Sequence, residues 1–280
     1  MIFDIINWDP GFMRSDSLDH ISAPGVHSFI PVDTHKNFMQ NLKKNPNDWY
    51  YRTNEVEYTL NSDKFRTKEF KDIDWKNSIV LLGCSCTFGT GVTDDDTIAA
   101  YLQRITGKYV VNLGQIAASN SAIAYNSYHL KENYPTPLAV VNIWTNIHRW
   151  FWIYSDEKFK HLMFELLDFK VLCKGDDSID MTDPRSRRVT KHKVVTEVTN
   201  NILYMKMSNA LWKDHPNHLQ LSRYDYYKDG EYLSMAAKIF PEVIQLNPSW
   251  EEDSSARDNK HWGREINEKI AKLIASNLKL

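Results

Sequence analysis

The chain has 280 residues, 25% of them charged, and a net charge of −2, so it lacks the basic footprint that nucleic acid or an anionic membrane surface would require. Its three cysteines, Cys84, Cys86 and Cys173, are too few for a disulfide framework and suggest a reducing compartment. No apolar run reaches transmembrane length, and MIFDIINWDPGF has neither a basic n-region nor a long apolar core, so it does not read as a signal peptide.

Residues 1–76 are rich in Asp, Asn, Pro and aromatics with weak periodicity, and read as a lead segment packing on a core. The organised part starts at Ser78, where Ile79-Val80-Leu81-Leu82 stops at Gly83 as a buried strand does. Small residues and Ser85 follow, then Gly89 and Gly91. Thr93 and Asp94–Asp96 are placed to cap a helix with apolar positions Ile98, Tyr101, Leu102 and Ile105, closed by Gly107. Further strands are read at Tyr109–Leu113 and Leu138–Ile143, giving the alternation of a parallel sheet covered by helices on both faces. Residues 150–231 interrupt this pattern and read as a helical insertion, with helices over Asp156–Leu167 and around Val194–Lys213 and a charged loop over Lys174–Arg188. A helix–strand unit follows over Tyr232–Leu246, divided at Pro241. The last helix is read from Trp262, Ile266, Ile270, Leu273, Ile274 and Leu278.

Two features carry chemistry. Ser85 lies just beyond a strand end, where ligands of open α/β sheets collect, and acts as a nucleophile if a base reaches it. Asp258-Asn259-Lys260-His261 places a carboxylate three residues before an imidazole, on one side of a first helical turn, so that Asp258 can hold one ring nitrogen while the other takes the Ser85 proton. Each feature alone has an ordinary reading, as a turn serine or a helix cap with a surface histidine. Gly89-Thr90-Gly91 lacks the lysine and spacing of a phosphate loop. Cys84-x-Cys86 lacks two further ligands for a metal and reads as buried small residues framing the turn. His192, His215 and His218 read as solvated surface residues of the insertion, and Trp150–Tyr154 as core beneath it.

Taken together, in this order and context, Gly83-Cys84-Ser85, Tyr109–Asn120, Trp144-Thr145-Asn146-Ile147 and Asp258-x-x-His261 resemble the sequence blocks of the SGNH (GDSL-like) hydrolase family, with Tyr58–Arg66 similar to a segment that precedes the first block in viral and bacterial members. The chain departs from the pattern where Cys84 replaces the family's aspartate, Ala117 its second-block glycine, and where the third block keeps only Asn146. Ala117 still supplies an N–H, provided that its turn does not require a positive φ. The resemblance implies a three-layer α/β/α fold with a parallel sheet of about five strands, spanning 77–280. It implies a Ser85–His261–Asp258 triad, an oxyanion hole from the Ser85 and Ala117 N–H groups and the Asn146 amide, and no metal or cofactor. Trp144 and Arg149 follow as candidate substrate contacts. The implied substrate is a short acyl ester, an O-acetyl group on a glycan among the options, met in the cytoplasm (of the host cell if the protein is viral) or on a virion. A non-catalytic glycan-binding or virion protein of the same fold, and an O-acyltransferase, stay open as alternatives, as does the oligomeric state.

Overall fold

A computed structural model describes residues 11–145, 149–153, 162–166, 199–222, 242–246 and 255–280, with 149–153 and 162–166 described through their backbone. Its centre is a five-stranded parallel sheet. The strands are β3 (Ser78–Gly83), β4 (Tyr109–Gly114), β5 (Ala139–Trp144), β8 (His218–Ser222) and β9 (Val243–Gln245), after a small antiparallel pair β1 (Gly25–His27) and β2 (Tyr58–Leu60) and with β6 (Arg149–Ile153) and β7 (Leu162–Leu166) between β5 and β8. The order across the sheet is β4-β3-β5-β8-β9. Every residue of β3 and β5 is buried, as continuous apolar runs require when helices cover both faces.

The topology places the site. From β3 the chain crosses through α3 (Ile98–Thr106) to β4 on one side, then returns through α4 (Asn120–Asn133) to β5 on the other. Right-handed crossovers in opposite directions put α3 and α4 on opposite faces and open a crevice beyond the carboxyl end of β3. In the register, Gly83 lies opposite both Gly114 and Ile143 at that end. Helix α3 packs on the C-terminal α6 (Arg264–Asn277). Helix α4 packs on α5 (helical residues 199–211), where the Ser127 and Ser208 hydroxyls meet at 3.4 Å; just past α5 the Trp212 indole donates to Ser127 at 2.9 Å, and the Asn142 amide of β5 donates to Ser208 at 2.6 Å. Among residues 11–76, α1 (His35–Lys44) is capped by the Thr34 hydroxyl. Leu18, Ile30, Tyr51, Val56, Tyr58 and Leu60 of this lead segment share a second apolar cluster with Phe88 and Ile116, which flank the site.

Several sequence expectations are corrected. Helix α3 starts at the Thr97 cap rather than at Thr93, because Asp94–Asp96 form a separate 3-10 turn. Leu162–Leu166, expected inside a helix, is a strand whose Phe164 lies opposite Phe151 of β6; the antiparallel partner overrides the helix propensity of Leu, Met and Glu. Residues 218–222, expected within the insertion, are the fourth strand of the central sheet, and their alternation His-Leu-Gln-Leu-Ser carries its period. The helix expected around Val194–Lys213 is present at 199–211, whereas the Tyr232–Pro241 part of the helix–strand unit, His192 and the Lys174–Arg188 loop lie outside the described residues. His215 is structural: its Nε2–H donates to the Pro137 carbonyl at 2.9 Å and its Nδ1 accepts the Asn217 N–H at 3.1 Å.

His218 is half-buried, and its Nε2 is shut away from solvent with no hydrogen-bond partner among the described residues. Burial, aided by the neighbouring His215, lowers its pKa to about 4. The unfolded chain, with a histidine pKa of about 6.5, therefore takes up this proton first. Stability is full above pH ~6.5 and declines towards pH 4, at up to about 1.4 kcal/mol per pH unit, levelling off below. Urea titrations across this range should show the limb in the wild type and a flattened one in His218→Leu. An unchanged limb would place the acid sensitivity elsewhere.

Candidate active site

Ser85 opens a single helical turn, α2 (Ser85–Phe88), two residues beyond β3. At the first helical position its N–H has no intrahelical acceptor, and no acceptor for it is found among the described residues. Its carbonyl accepts the N–H groups of Gly89 and Thr90, and Gly89 closes the turn at φ +85°. The turn sits hard against the sheet. A Cβ on Gly83 would come 2.0 Å from Thr87 Oγ1, and one on Gly114 would come 2.4 Å from the Phe88 nitrogen. Buried Asn112 braces the same contact: its amide donates to the Thr87 carbonyl at 2.9 Å and its Oδ1 accepts the Gly114 N–H. Beneath the other end of α2 lies Arg66, whose buried guanidinium donates to the carbonyls of Phe88, Gly89 and Val92, pairs with Asp94, and stacks over the rings of Tyr58 and Phe88. A cation at the carbonyl end of a helical turn is the favoured polarity.

The acid–base pair arrives from the far end of the chain. Ala256 and Asn259 close a tight turn through the Asn259 N–H to Ala256 carbonyl bond, with Asn259 in the left-handed region at φ +58°. The pair was expected in the first turn of the last helix. Instead it precedes α6, whose cap is Gly263, and an isolated bridge between Ser255 and Trp262 closes the loop. Within it Asp258 Oδ1 accepts the N–H groups of Lys260 and His261, each at 3.1 Å. Oδ2 accepts the His261 Nδ1–H at 2.6 Å, and His261 Nε2 accepts the Ser85 hydroxyl at 2.9 Å. The Asp258 side chain is 1% exposed, and burial raises its pKa. The hydrogen bond and charge of His261, with the two backbone N–H bonds, outweigh that effect and hold the carboxyl below its ordinary value. Asp258 is therefore an anion across the neutral range, and as the acceptor facing Nδ1 it selects the tautomer that leaves Nε2 free to accept.

The remaining expected positions divide. Ala117 lies in the turn after β4 at φ +59°: the turn does take a positive φ, contrary to the condition set for it, yet alanine adopts that backbone at the cost of strain and keeps its N–H there. Its N–H finds no acceptor among the described residues. Trp144 is no pocket wall. It is wholly buried within the main apolar core, with its indole N–H donating to Gln220 Oε1 at 3.0 Å. Asn146 and the Arg149 side chain lie outside the described residues. The residue before Asn146 is held at both ends, since the Asn120 amide donates to the Thr145 carbonyl at 2.8 Å and Asn120 Oδ1 accepts the Thr145 N–H at 2.7 Å. Cys84 and Cys86 are buried at either side of Ser85, as expected of small residues framing the turn. Sequence reading passed over Asn112, Asn120 and Arg66. Polar residues inside apolar strands or at a helix start were the available signal for the two asparagines.

No family model matches the chain, and no curated protein matches it. Similar solved structures include one from Desulfitobacterium hafniense DCB-2 assigned to the G-D-S-L lipolytic family, at 12% identity and TM-score 0.41, covering 72% of this chain and all of that one. The psychrotrophic esterase EstA from a Pseudoalteromonas species is similar at 15% identity and TM-score 0.40, covering 72% of this chain and 94% of its own. A carbohydrate acetylesterase family member from Sinorhizobium meliloti matches at 9% identity and TM-score 0.37, covering 71% and 99%.

The strain at Ala117 is open to measurement. A left-handed alanine costs roughly 1–2 kcal/mol, and glycine gives back about 0.4–1 kcal/mol through the freer unfolded chain. Ala117→Gly should therefore raise stability by up to about 1.6 kcal/mol in urea unfolding. A loss would mean that packing of the methyl group outweighs the strain.

Proposed function

We propose that this chain is a serine ester hydrolase of the SGNH (GDSL-like) type, acting on short acyl esters through Ser85, His261 and Asp258. The observation that carries the proposal is the unbroken relay Ser85 Oγ–H to His261 Nε2 at 2.9 Å and His261 Nδ1–H to Asp258 at 2.6 Å, closed across 176 residues of sequence. A serine hydroxyl on a neutral imidazole whose other nitrogen is fixed by a buried carboxylate is an activated nucleophile.

In this reading Ser85 Oγ attacks the ester carbonyl as its proton passes to His261 Nε2. The imidazolium is stabilised by Asp258, which keeps its charge, and then protonates the leaving alkoxide, which departs as the alcohol. A water, deprotonated by the same nitrogen, attacks the acyl-serine and releases the carboxylic acid and the free hydroxyl. The tetrahedral oxyanion is met by the N–H groups of Ser85 and Ala117 and by the Asn146 amide, which Asn120 helps to place through Thr145. The Ser85 and Ala117 donors are supported by their having no acceptor among the described residues. The preferred acyl group in this proposal is acetyl, carried on a glycan hydroxyl, with Arg149 available to an anionic group of the substrate and no cofactor involved. The intact relay counts against the non-catalytic alternative. Transfer of the acyl group to a sugar hydroxyl shares the first half-reaction and differs only in which hydroxyl enters the second.

Hydrolysis of a short chromogenic acetyl ester tests the assignment. Ser85→Ala should lose nearly all turnover and Cys86→Ala should keep it, while Asn146→Ala should fall by roughly 10²-fold in kcat through the lost oxyanion donor. Undiminished turnover in Ser85→Ala would assign the chemistry to another residue. Inactivity of the folded wild type across a panel of acetyl esters would favour a binding role.

A further inference from the structure

We infer that Asp33 and Arg257 are positioning residues that hold the Asp258–His261 pair in reach of Ser85, and that the segment around β1, α1 and β2 is thereby a working part of the site. The inference rests on the proposed hydrolase reading for its kinetic consequence, though not for its structural one. Arg257 immediately precedes Asp258, and its main chain and side chain are each tied to other elements. Its N–H donates to the Gly91 carbonyl at 2.9 Å, in the loop that follows the Ser85 turn. Its own carbonyl accepts the Asn41 amide of α1 at 2.9 Å. Its guanidinium donates to Asp33 Oδ2 from Nε at 2.9 Å and to the Ser28 carbonyl from Nη2, which also lies 2.7 Å from the same Asp33 oxygen as an ion pair.

The same Asp33 oxygen accepts the Tyr58 hydroxyl at 2.5 Å, and that hydroxyl accepts the Gly91 N–H at 2.8 Å. A closed ring of bonds results: Gly91 carbonyl, Arg257 N–H, Arg257 guanidinium, Asp33, Tyr58, and back to the Gly91 N–H. It joins the loop behind the nucleophile to the loop bearing the base through residues of the lead segment. There is no slack in it. A Cβ on Gly91 would come 2.7 Å from Ala256 Cβ and 3.1 Å from the Arg257 nitrogen. Asp33 is fully buried, Arg257 nearly so, and the guanidinium lies over the rings of Phe29 and Phe38 at 4.4 and 5.4 Å.

Stability alone does not call for this arrangement. A buried ion pair can often be exchanged for apolar residues of similar volume with little loss or even a gain, whereas removing one partner strands a charge. What an apolar pair cannot supply is the set of directed bonds that fixes where Asp258 begins. A displacement of about 1 Å at a reacting group can cost on the order of 10²-fold in rate.

The test follows from that contrast. The double variant Asp33→Leu/Arg257→Met removes the clamp without leaving a lone charge. It should fold, keep KM within about threefold, and lose roughly 10- to 100-fold in kcat on a chromogenic acetyl ester. Independently of any substrate, the low-field proton resonance of His261 Nδ1–H, bonded to Asp258, should shift upfield or broaden. Asn217→Ala, which removes a tie between the Leu138 and Lys279 carbonyls at the amino-terminal end of β5, the end of the sheet away from Ser85, should lower stability and leave both readouts unchanged. Should the double variant not fold, Asn41→Ala removes only the bond to the Arg257 carbonyl and should move both readouts in the same direction to a smaller degree. Wild-type kcat with an unmoved resonance in a folded clamp variant would overturn the inference. If the wild type itself cleaves no ester, the hydrolase reading fails, and the resonance alone still decides the clamp.

Discussion

The close approach of one helical turn to the ends of two strands governs this structure. The turn carrying Ser85 lies so near β3 and β4 that Gly83 and Gly114 have no room for a side chain. That contact fixes the direction of the turn, and with it leaves the Ser85 N–H without an acceptor among the described residues and its hydroxyl toward His261. Asn112 and Arg66 then satisfy the carbonyls that such a short helix strands at its end. A buried polar side chain is costly unless fully bonded, so both residues hold the turn because it offers what they lack elsewhere.

The second half of the site is assembled at long range. Nothing local joins residue 85 to residue 261, and the described residues of the loop carrying Asp258, from Ser255 to Trp262, have no regular secondary structure beyond one isolated bridge. Its geometry comes from a left-handed Asn259, the two N–H bonds to Asp258 Oδ1, and the contacts that Arg257 makes with Gly91, Asn41 and Asp33. The lead segment therefore meets the site from two directions. Arg66 and Tyr58 underlie the nucleophile's turn, and Asp33 and Asn41 underlie the base.

What the sequence made legible follows from how local each signal is. The apolar run ending at Gly83, the serine after it, and the Asp-x-x-His spacing are short patterns with local causes, and the strands at 78, 109 and 139 were readable for the same reason. β8 was hidden because an alternation of only five residues is a short signal, and because His218 reads as a surface residue until the fold half-buries it. The helix expected across Leu162–Leu166 failed since antiparallel pairing with β6 outweighs the propensity of Leu, Met and Glu. Trp144 was misplaced for a related reason: proximity to Asn146 in sequence says nothing about which side of a strand end an indole occupies. The ring joins Arg257 to Tyr58 and Asp33, 199 and 224 positions before it, and to a turn glycine, a coincidence that no single-sequence pattern encodes.

The central claim is that Ser85 is a nucleophile primed by His261 and Asp258. Treatment of the folded protein with a fluorophosphonate, followed by peptide mass spectrometry, tests it most directly, since a phosphonylated serine forms only where a hydroxyl is activated. The account predicts one adduct, on the peptide containing Ser85, formed in the wild type and abolished in His261→Ala. An adduct on another residue, or an unmodified Ser85 in protein that is folded and fully exposed to the reagent, would contradict it.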